Sequence, residues 1–295
     1  MLTVVVGISG ALIFGFADFF GGLGSRRINP IIVTAIAALA GLLVLVLLLP
    51  FVGGVWSASA VLWGALSGVA GAIAIVLLYA CLAIGPMSIL SPLTAIVSAI
   101  IPLAWGLLGG ERLQPLGYLA LGIALIAVVL VGFVPEKGAV RPSLRGVLMA
   151  IGSGLMIGVF LILIDQSPAD SGLIPLLFNR ITNAAIMATI IALLWFRSRA
   201  RDGAGMEFGS TREGPPSWRL GVRFALICGV IDAVGNGLLL LGIRLGELSV
   251  MGVLTAMYPA GTILLAAVVL KERIAPVQWA GLGFALSAAG LLSLG

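Results

Sequence analysis

Apolar runs of about twenty residues follow one another along almost the whole chain, and no other feature restricts the possible folds so strongly. About 20 helical residues cross a bilayer core, and backbone exposed to lipid must satisfy its hydrogen bonds within its own structure, as helices and closed barrels do. Barrel strands alternate in segments of about ten residues, whereas these runs are continuous. Of 295 residues, 61% are hydrophobic and 9% charged, against roughly 25% charged in a soluble domain. A soluble fold would lack polar surface. The sequence therefore reads as an all-α polytopic membrane protein.

Ten transmembrane helices are expected, at about 3–20, 30–52, 58–84, 88–108, 116–134, 144–164, 173–196, 220–243, 248–270 and 276–294. A polar linker with Pro135, Glu136, Lys137, Arg141 and Pro142 separates the first five from the rest, and the longest polar stretch runs over 197–218. The chain also repeats itself. A constant shift of 161 residues pairs Gly85 with Gly246, Ser88 with Ser249 and Leu93-Thr94-Ala95 with Leu254-Thr255-Ala256. The same shift pairs Glu111-Arg112 with Glu272-Arg273 and Pro115 with Pro276. Matched Gly, Ser, Thr, Glu-Arg and Pro in one register indicate a duplication. Each copy, 3–134 and 144–294, contributes five spans, and an odd number inverts the second copy in the membrane.

The net charge of +5 does not point to nucleic acid, because the basic residues sit mostly in short loops. Arg26 and Arg27, Lys137, Arg141 and Arg145, the arginines between 197 and 223, and Lys271 and Arg273 fall on one side, with only Arg112 and Arg244 on the other. The positive-inside rule then puts both termini outside. The N-terminus has no basic segment before its apolar run and reads as a mature span, not a signal peptide. Cys81 and Cys228 lie within apolar runs, and the chain has no histidine. Zinc sites and imidazole catalysis are not expected; nor is ATP hydrolysis, since no P-loop occurs.

A charge at the centre of a span costs roughly 2.5–3.5 kcal/mol on insertion scales, so each needs a reason. Asp18, in FGFADFFGG, reads either as a proton-coupling or substrate-cation site or as an interfacial carboxylate paired with Arg26 and Arg27. Arg180, with Asn183 three residues on, reads as a site for an anionic group or as half of an ion pair with Asp232. Asp232 and Asn236, four apart among Gly229, Gly235 and Gly237, form the densest polar patch and are expected to face a cavity. Their repeat counterparts, Gly71 and Ile75, are apolar. Pro92, Pro102 and Pro259, beside Thr94, Thr255 and Tyr258, are expected to bend spans four and nine. Trp105 shares span four with two of them and is retained as a candidate. Trp63, Tyr79, Trp195 and Trp279 read as interface or packing residues. The glutamate-arginine pairs at 111–112 and 272–273 fall at span ends and read as fixing helix termini.

The repeated pattern, a helix ending before Gly-Pro, then Ser-Pro-Leu-Thr, then Gly-Glu-Arg-Leu after the next helix, resembles the EamA domain. Two such domains in tandem make carriers of the drug/metabolite transporter superfamily. The resemblance covers residues 3–294 and implies a ten-helix carrier of small metabolites such as amino acids, sugars or drug-like compounds, commonly moved outward. It also implies spans one to four and six to nine around the pathway, five and ten bracing it, and both termini inside, opposite to the charge bias. The expected function is a multi-pass secondary transporter of the cytoplasmic membrane working by alternating access. It needs no cofactor or metal; its partners are a small solute and the bilayer, and it is a monomer or homodimer. Substrate contacts are assigned to Asp232, Asn236, Arg180, Asn183, Trp105 and Tyr258, and proton coupling to Asp18. Two alternatives stay open: a lipid-modifying membrane enzyme, for which Asp165 and Asp170 are the nearest carboxylates, and a non-transporting scaffold.

Overall fold

A computed structural model describes residues 2–25, 27–84, 87–132, 143–200, 218–269, 271 and 274–294. Gly85, Arg26, the 135–142 linker, residues 201–217 and Glu272-Arg273 lie outside the described residues, as do the side chains of Tyr79, Ser88, Pro92, Arg197 and Arg199.

The described residues form α1 (Leu2–Ser25), α2 (Pro30–Val52), α3 (Ala58–Ile84), α4 (Met87–Leu108), α5 (Pro115–Gly132), α6 (Leu144–Asp165), α7 (Ile174–Ala200), α8 (Trp218–Leu245), α9 (Leu248–Thr255), α10 (Tyr258–Val269) and α11 (Pro276–Leu294). A 3-10 turn, Ala169–Ser171, precedes α7. Seven stretches are long and apolar enough to cross a membrane, and three further apolar helices are shorter. The chain is thus all-helical and multi-pass. Helix starts follow local chemistry: Ile31 N–H donates to Asn29 Oδ1 at 2.9 Å ahead of α2, and Gly146 N–H to Ser143 Oγ at 3.1 Å ahead of α6.

One expected boundary needs correction. The first span does not stop at Phe20. Helix α1 runs through Gly21-Gly22 to Ser25, because Gly24 beyond them packs on Val33 of α2 and the Gly221 carbonyl of α8 where isolated propensity would not carry the helix on. Asp18 therefore lies about two turns inside the helix. The expected span 248–270 is present as one apolar stretch, Leu248–Val269, and is interrupted before Pro259, with Ala256 and Met257 between α9 and α10. Pro259 explains the break: it has no N–H to give the Thr255 carbonyl, and its ring collides with that carbonyl in a continuous helix. Ala260 N–H turns back to Met257 O at 2.9 Å instead. The repeat puts Ser98 where Pro259 stands, and α4 is unbroken there.

The packing is interleaved. Helix α1 lies against α8 and α10, α6 against α3 and α4, α2 against α8, and α3 against α7. The remaining main pairs are α2 with α7, α4 with α9 and α5 with α11. Small residues set the spacing. At Gly154 a side chain would meet the Thr94 carbonyl at 2.6 Å and Val97 Cβ at 2.7 Å, so α6 and α4 touch through backbone. Gly283 on α11 meets nothing within 4 Å. Gly154→Val is thus expected to lower the melting temperature in detergent, overpacking costing about 1–3 kcal/mol, while Gly283→Val leaves it unchanged; equal melting of the two variants would refute this packing.

Candidate functional site

The site forms where α1, α2, α7, α8 and α10 meet. Helix α8 runs antiparallel to α1: Gly24 lies against the Gly221 carbonyl, Gly235 against the Phe14 ring and Gly10 against Leu238. That register brings Asp18 level with Asp232. The two carboxyls are within electrostatic reach of each other, and Cys228 and Tyr258 are within reach of Asp18. Tyr258 comes from the broken end of α10, held on α1 by the Thr262 hydroxyl donating to Gly15 O at 3.0 Å.

Arg180 and Asp232 form the one ion pair among the described residues, Nη2 to Oδ2. Arg180 is 8% exposed and the Asp232 side chain 25%. The pair ties α7 to α8, with the Gly41 backbone of α2 packed beside the guanidinium. Asn236 Nδ2 donates to Asp232 O at 2.9 Å and to its Oδ1 at 3.2 Å, so Asn236 orients the aspartate. Two polar atoms in this group have no hydrogen-bond partner among the described residues: Arg180 Nε and Asn183 Oδ1, the latter on a side chain 3% exposed. Buried polar atoms are otherwise partnered almost without exception, so a donor and an acceptor left over on one face of α7 mark a place for a polar molecule. Asn179, also on α7, is used structurally: its Nδ2 donates to Ser67 Oγ at 2.9 Å, clamping α7 to α3.

Asp18 differs from all of these. Its side chain is surrounded by protein yet open to solvent, as expected of a cavity wall. One turn on, Gly22 is also open and meets nothing within 4 Å. The opening therefore leads toward the end of α1 that precedes Arg27. The opposite end is closed along α1 and α9, with one pocket beside α8 lined by Ile164, Asp165, Ser167, Leu240 and Arg244. There Gly7 packs on Leu254 and Met251, Gly242 on Met251, Gly246 on Thr3 and Gly252 on Pro102. Glu111, beyond α4, caps α9: Leu248 N–H donates to Oε1 at 3.0 Å and Ser249 N–H to Oε2 at 3.2 Å. The expectation that Glu111 fixes a helix end is met, although the helix belongs to the other half of the chain. On the same end Arg244 donates from Nη2 to Ser171 Oγ at 3.0 Å.

The structure thus gathers Asp18, Arg180, Asp232, Asn236 and Tyr258, while Asn183, one turn along α7 from Arg180, lies toward Gly71 of α3. Trp105 stands apart, 52% exposed near the end of α4. The sequence reading passed over Cys228, although it sits four residues before Asp232 on the same helical face. Among the described residues no group of three or more Cys, Asp or Glu could hold a metal ion.

These features define a multi-pass helical membrane protein with a polar, partly open interior. A family model described as the EamA-like transporter family matches residues 144–294, and the chain belongs to that family. It is accordingly a membrane transporter of the drug/metabolite type. No curated protein matches the chain. One solved structure, described only as "Crystal structure of protein", is similar with a TM-score of 0.72 and 16% identity, covering 99% of this chain and 98% of that one; the two share a fold.

At the closed end the Glu247 carboxyl lies above the ordinary glutamate range, through partial desolvation first and then the charge and hydrogen bonding of Glu111. A raised value means that the folded chain holds this proton more tightly than the unfolded one, so ionised Glu247 costs stability above its folded value. Glu247→Gln is expected to raise the melting temperature at about pH 7.5 and to lose that advantage near pH 4, where the native carboxyl is protonated in both states. A gain of the same size at both pH values would contradict this.

Proposed function

We propose that the chain is a secondary carrier that moves a small metabolite out across the cytoplasmic membrane by alternating access, and that it is a carrier rather than an enzyme or scaffold. In this reading ten spans form two inverted five-helix repeats, 3–134 and 144–294, and the solute binds between them near the midplane. The packing supports the layout, because the main contacts have counterparts across the halves. Helix α1 on α8 answers α6 on α3; α1 on α9 and α10 answers α6 on α4; α2 on α8 answers α7 on α3. The pairs α2–α7, α4–α9 and α5–α11 join helices that correspond to each other.

Arg180 Nε and Asn183 Oδ1, buried and unpartnered one turn apart on α7, with Asp232 joining Arg180 to the surroundings of Asp18, carry the reading. Asp232 holds Arg180 in place, Asn236 orients Asp232, Tyr258 walls the cavity from α10, and Asp18 couples a proton. Trp105, exposed near the end of α4 on the closed side, would meet the solute only when that side opens. The basic loops lie at the open end, so by the positive-inside rule the conformation faces the cytoplasm and both termini lie outside. No cofactor is needed, and the unit is a monomer or homodimer.

Replacing one partner of a buried pair leaves the other uncompensated, at about 3–5 kcal/mol. Asp232→Asn alone is therefore expected to melt early, while the doubly neutral Arg180→Gln/Asp232→Asn chain melts near the wild type. In proteoliposomes loaded with a metabolite extract, the wild type releases a defined subset, read by mass spectrometry, and the double variant does not. Equal release from both would sink the site. A reporter active only in the cytoplasm, fused after residue 294, is expected to stay silent; activity would reverse the orientation.

A further inference from the structure

We propose that the closed end carries a second binding site, between the end of α6 and the last turns of α8, which takes a small zwitterion of the α-amino-acid type. Arg244 holds its carboxylate and Asp165 its ammonium group. The site is separate from the group around Asp232, about 18 Å away along α8, and does not depend on what the central cavity carries.

A cavity of about 150 Å³ lies there, with Asp165 and Arg244 on its walls, buried Ile164, Leu240 and Ile243 on its floor and exposed Ala169 at its rim. A protein cavity of that size has room for benzene, hence for about six non-hydrogen atoms. Ser167 also lines it, but its hydroxyl already donates to Ile164 O at 2.6 Å. The floor is apolar, so the two charged walls decide what binds.

Those walls carry opposite charges that are left apart. Asp165 and Arg244 form no ion pair with each other or with any other described residue. Arg244 is pinned from one side, its Nη2 donating to Ser171 Oγ at 3.0 Å and to Pro168 O at 3.3 Å. That turn is itself fixed to the connection between α2 and α3, where Val55 N–H donates to Asp170 O at 2.9 Å and Gly54 packs on the Ser171 carbonyl. The guanidinium is thereby held away from Asp165. Asp170 is within its electrostatic reach without pairing to it. Arg244 Nε, shut off from solvent, has no hydrogen-bond partner among the described residues. Asp165 accepts a hydrogen bond from adjacent Gln166, Nε2 to Oδ2 at 3.2 Å, and its charged neighbours are the carboxylates Glu111 and Glu247. A half-buried carboxylate among carboxylates calls for a cation, and a buried guanidinium N–H calls for an acceptor. A molecule with an ammonium and a carboxylate on one carbon satisfies both with charge-assisted hydrogen bonds. A simple anion would leave Asp165 bare, and a simple amine would leave Nε bare. Because the Arg244 wall is fixed before a ligand arrives, binding requires little further ordering.

The test uses the purified full chain and three probes: L-alanine, propionate and isopropylamine. Saturation-transfer NMR is expected to show L-alanine bound, with the other two at least about tenfold weaker because each leaves one charge unmet. Arg244→Gln and Asp165→Asn each lower the affinity for L-alanine about tenfold or more. Since Arg244 also holds the 168–171 turn, Ala169→Phe provides an independent check. It fills the cavity from its exposed rim, abolishes L-alanine binding and melts like the wild type. The Arg180→Gln/Asp232→Asn chain keeps the wild-type affinity for L-alanine, which separates this site from the central one. No binding of L-alanine, equal binding of propionate or isopropylamine, unchanged binding in Ala169→Phe, or loss of binding in Arg180→Gln/Asp232→Asn would each overturn the proposal. The carrier reading is tested separately, by release of the metabolite extract.

Discussion

Neither Arg180 nor Asp232 could occupy its position alone, and much of the interior follows from their pairing. A lone guanidinium or carboxylate at this depth would carry a desolvation penalty of several kcal/mol, so each fixes the other and with it the approach of α7 to α8. The pair fits only because α2 presents Gly41 beside the guanidinium and packs through Gly229 onto Ala37 without side chains between. Asn236 then orients the carboxylate from one turn away. A charge at membrane depth thus depends on close backbone approach at Gly41 of α2 and Gly229 of α8.

In the proposed two-repeat layout the halves share a frame and differ at the site. The shared part is packing: glycines of α1 against α9 and α10, and glycines of α6 against α4. The differences are single residues. Pro259 breaks the second-half helix where Ser98 leaves the first-half helix continuous, and Asp232 and Asn236 stand where the repeat has Gly71 and Ile75. Thr94 shows what the unbroken version does with the same residue type: its hydroxyl donates to Leu90 O and to Ala150 O, joining α4 to α6. A frame that supports rocking can be symmetric, whereas a site that recognises one solute need not be.

Helix positions were largely legible in the sequence, since continuous apolar runs leave few choices; the starts of α2, α3 and α11 were read to the residue from Pro30, Ala58 and Pro276. The end of α1 was not, because Gly21-Gly22 looks like a stop and helical continuation there depends on contacts with α8. The Arg180–Asp232 pair could be anticipated because two opposite charges in apolar runs have few other partners. The company of Asp18 could not: its alignment with Asp232 is set by the antiparallel register of α1 on α8, which no local pattern records. The same holds for the orientation of α4, which leaves Trp105 exposed, and for Glu111, whose partner lies in the other half of the chain.

The closed end and the open end depend on different physics, and this gives the molecule a direction. Closure relies on backbone contact at Gly7, Gly242, Gly246 and Gly252 and on one carboxylate, Glu111, that satisfies the first N–H groups of α9. Those N–H groups have no intrahelical partner and would otherwise be left bare at the rim of the membrane. Glu111 follows a helix of the first half and caps a helix of the second, so separating the halves at this end must expose both the carboxylate and the helix terminus. Water can take over those hydrogen bonds once it enters, whereas hydrocarbon cannot. In the proposed carrier, opening at this end is therefore feasible only along a path that admits water between α4 and α9.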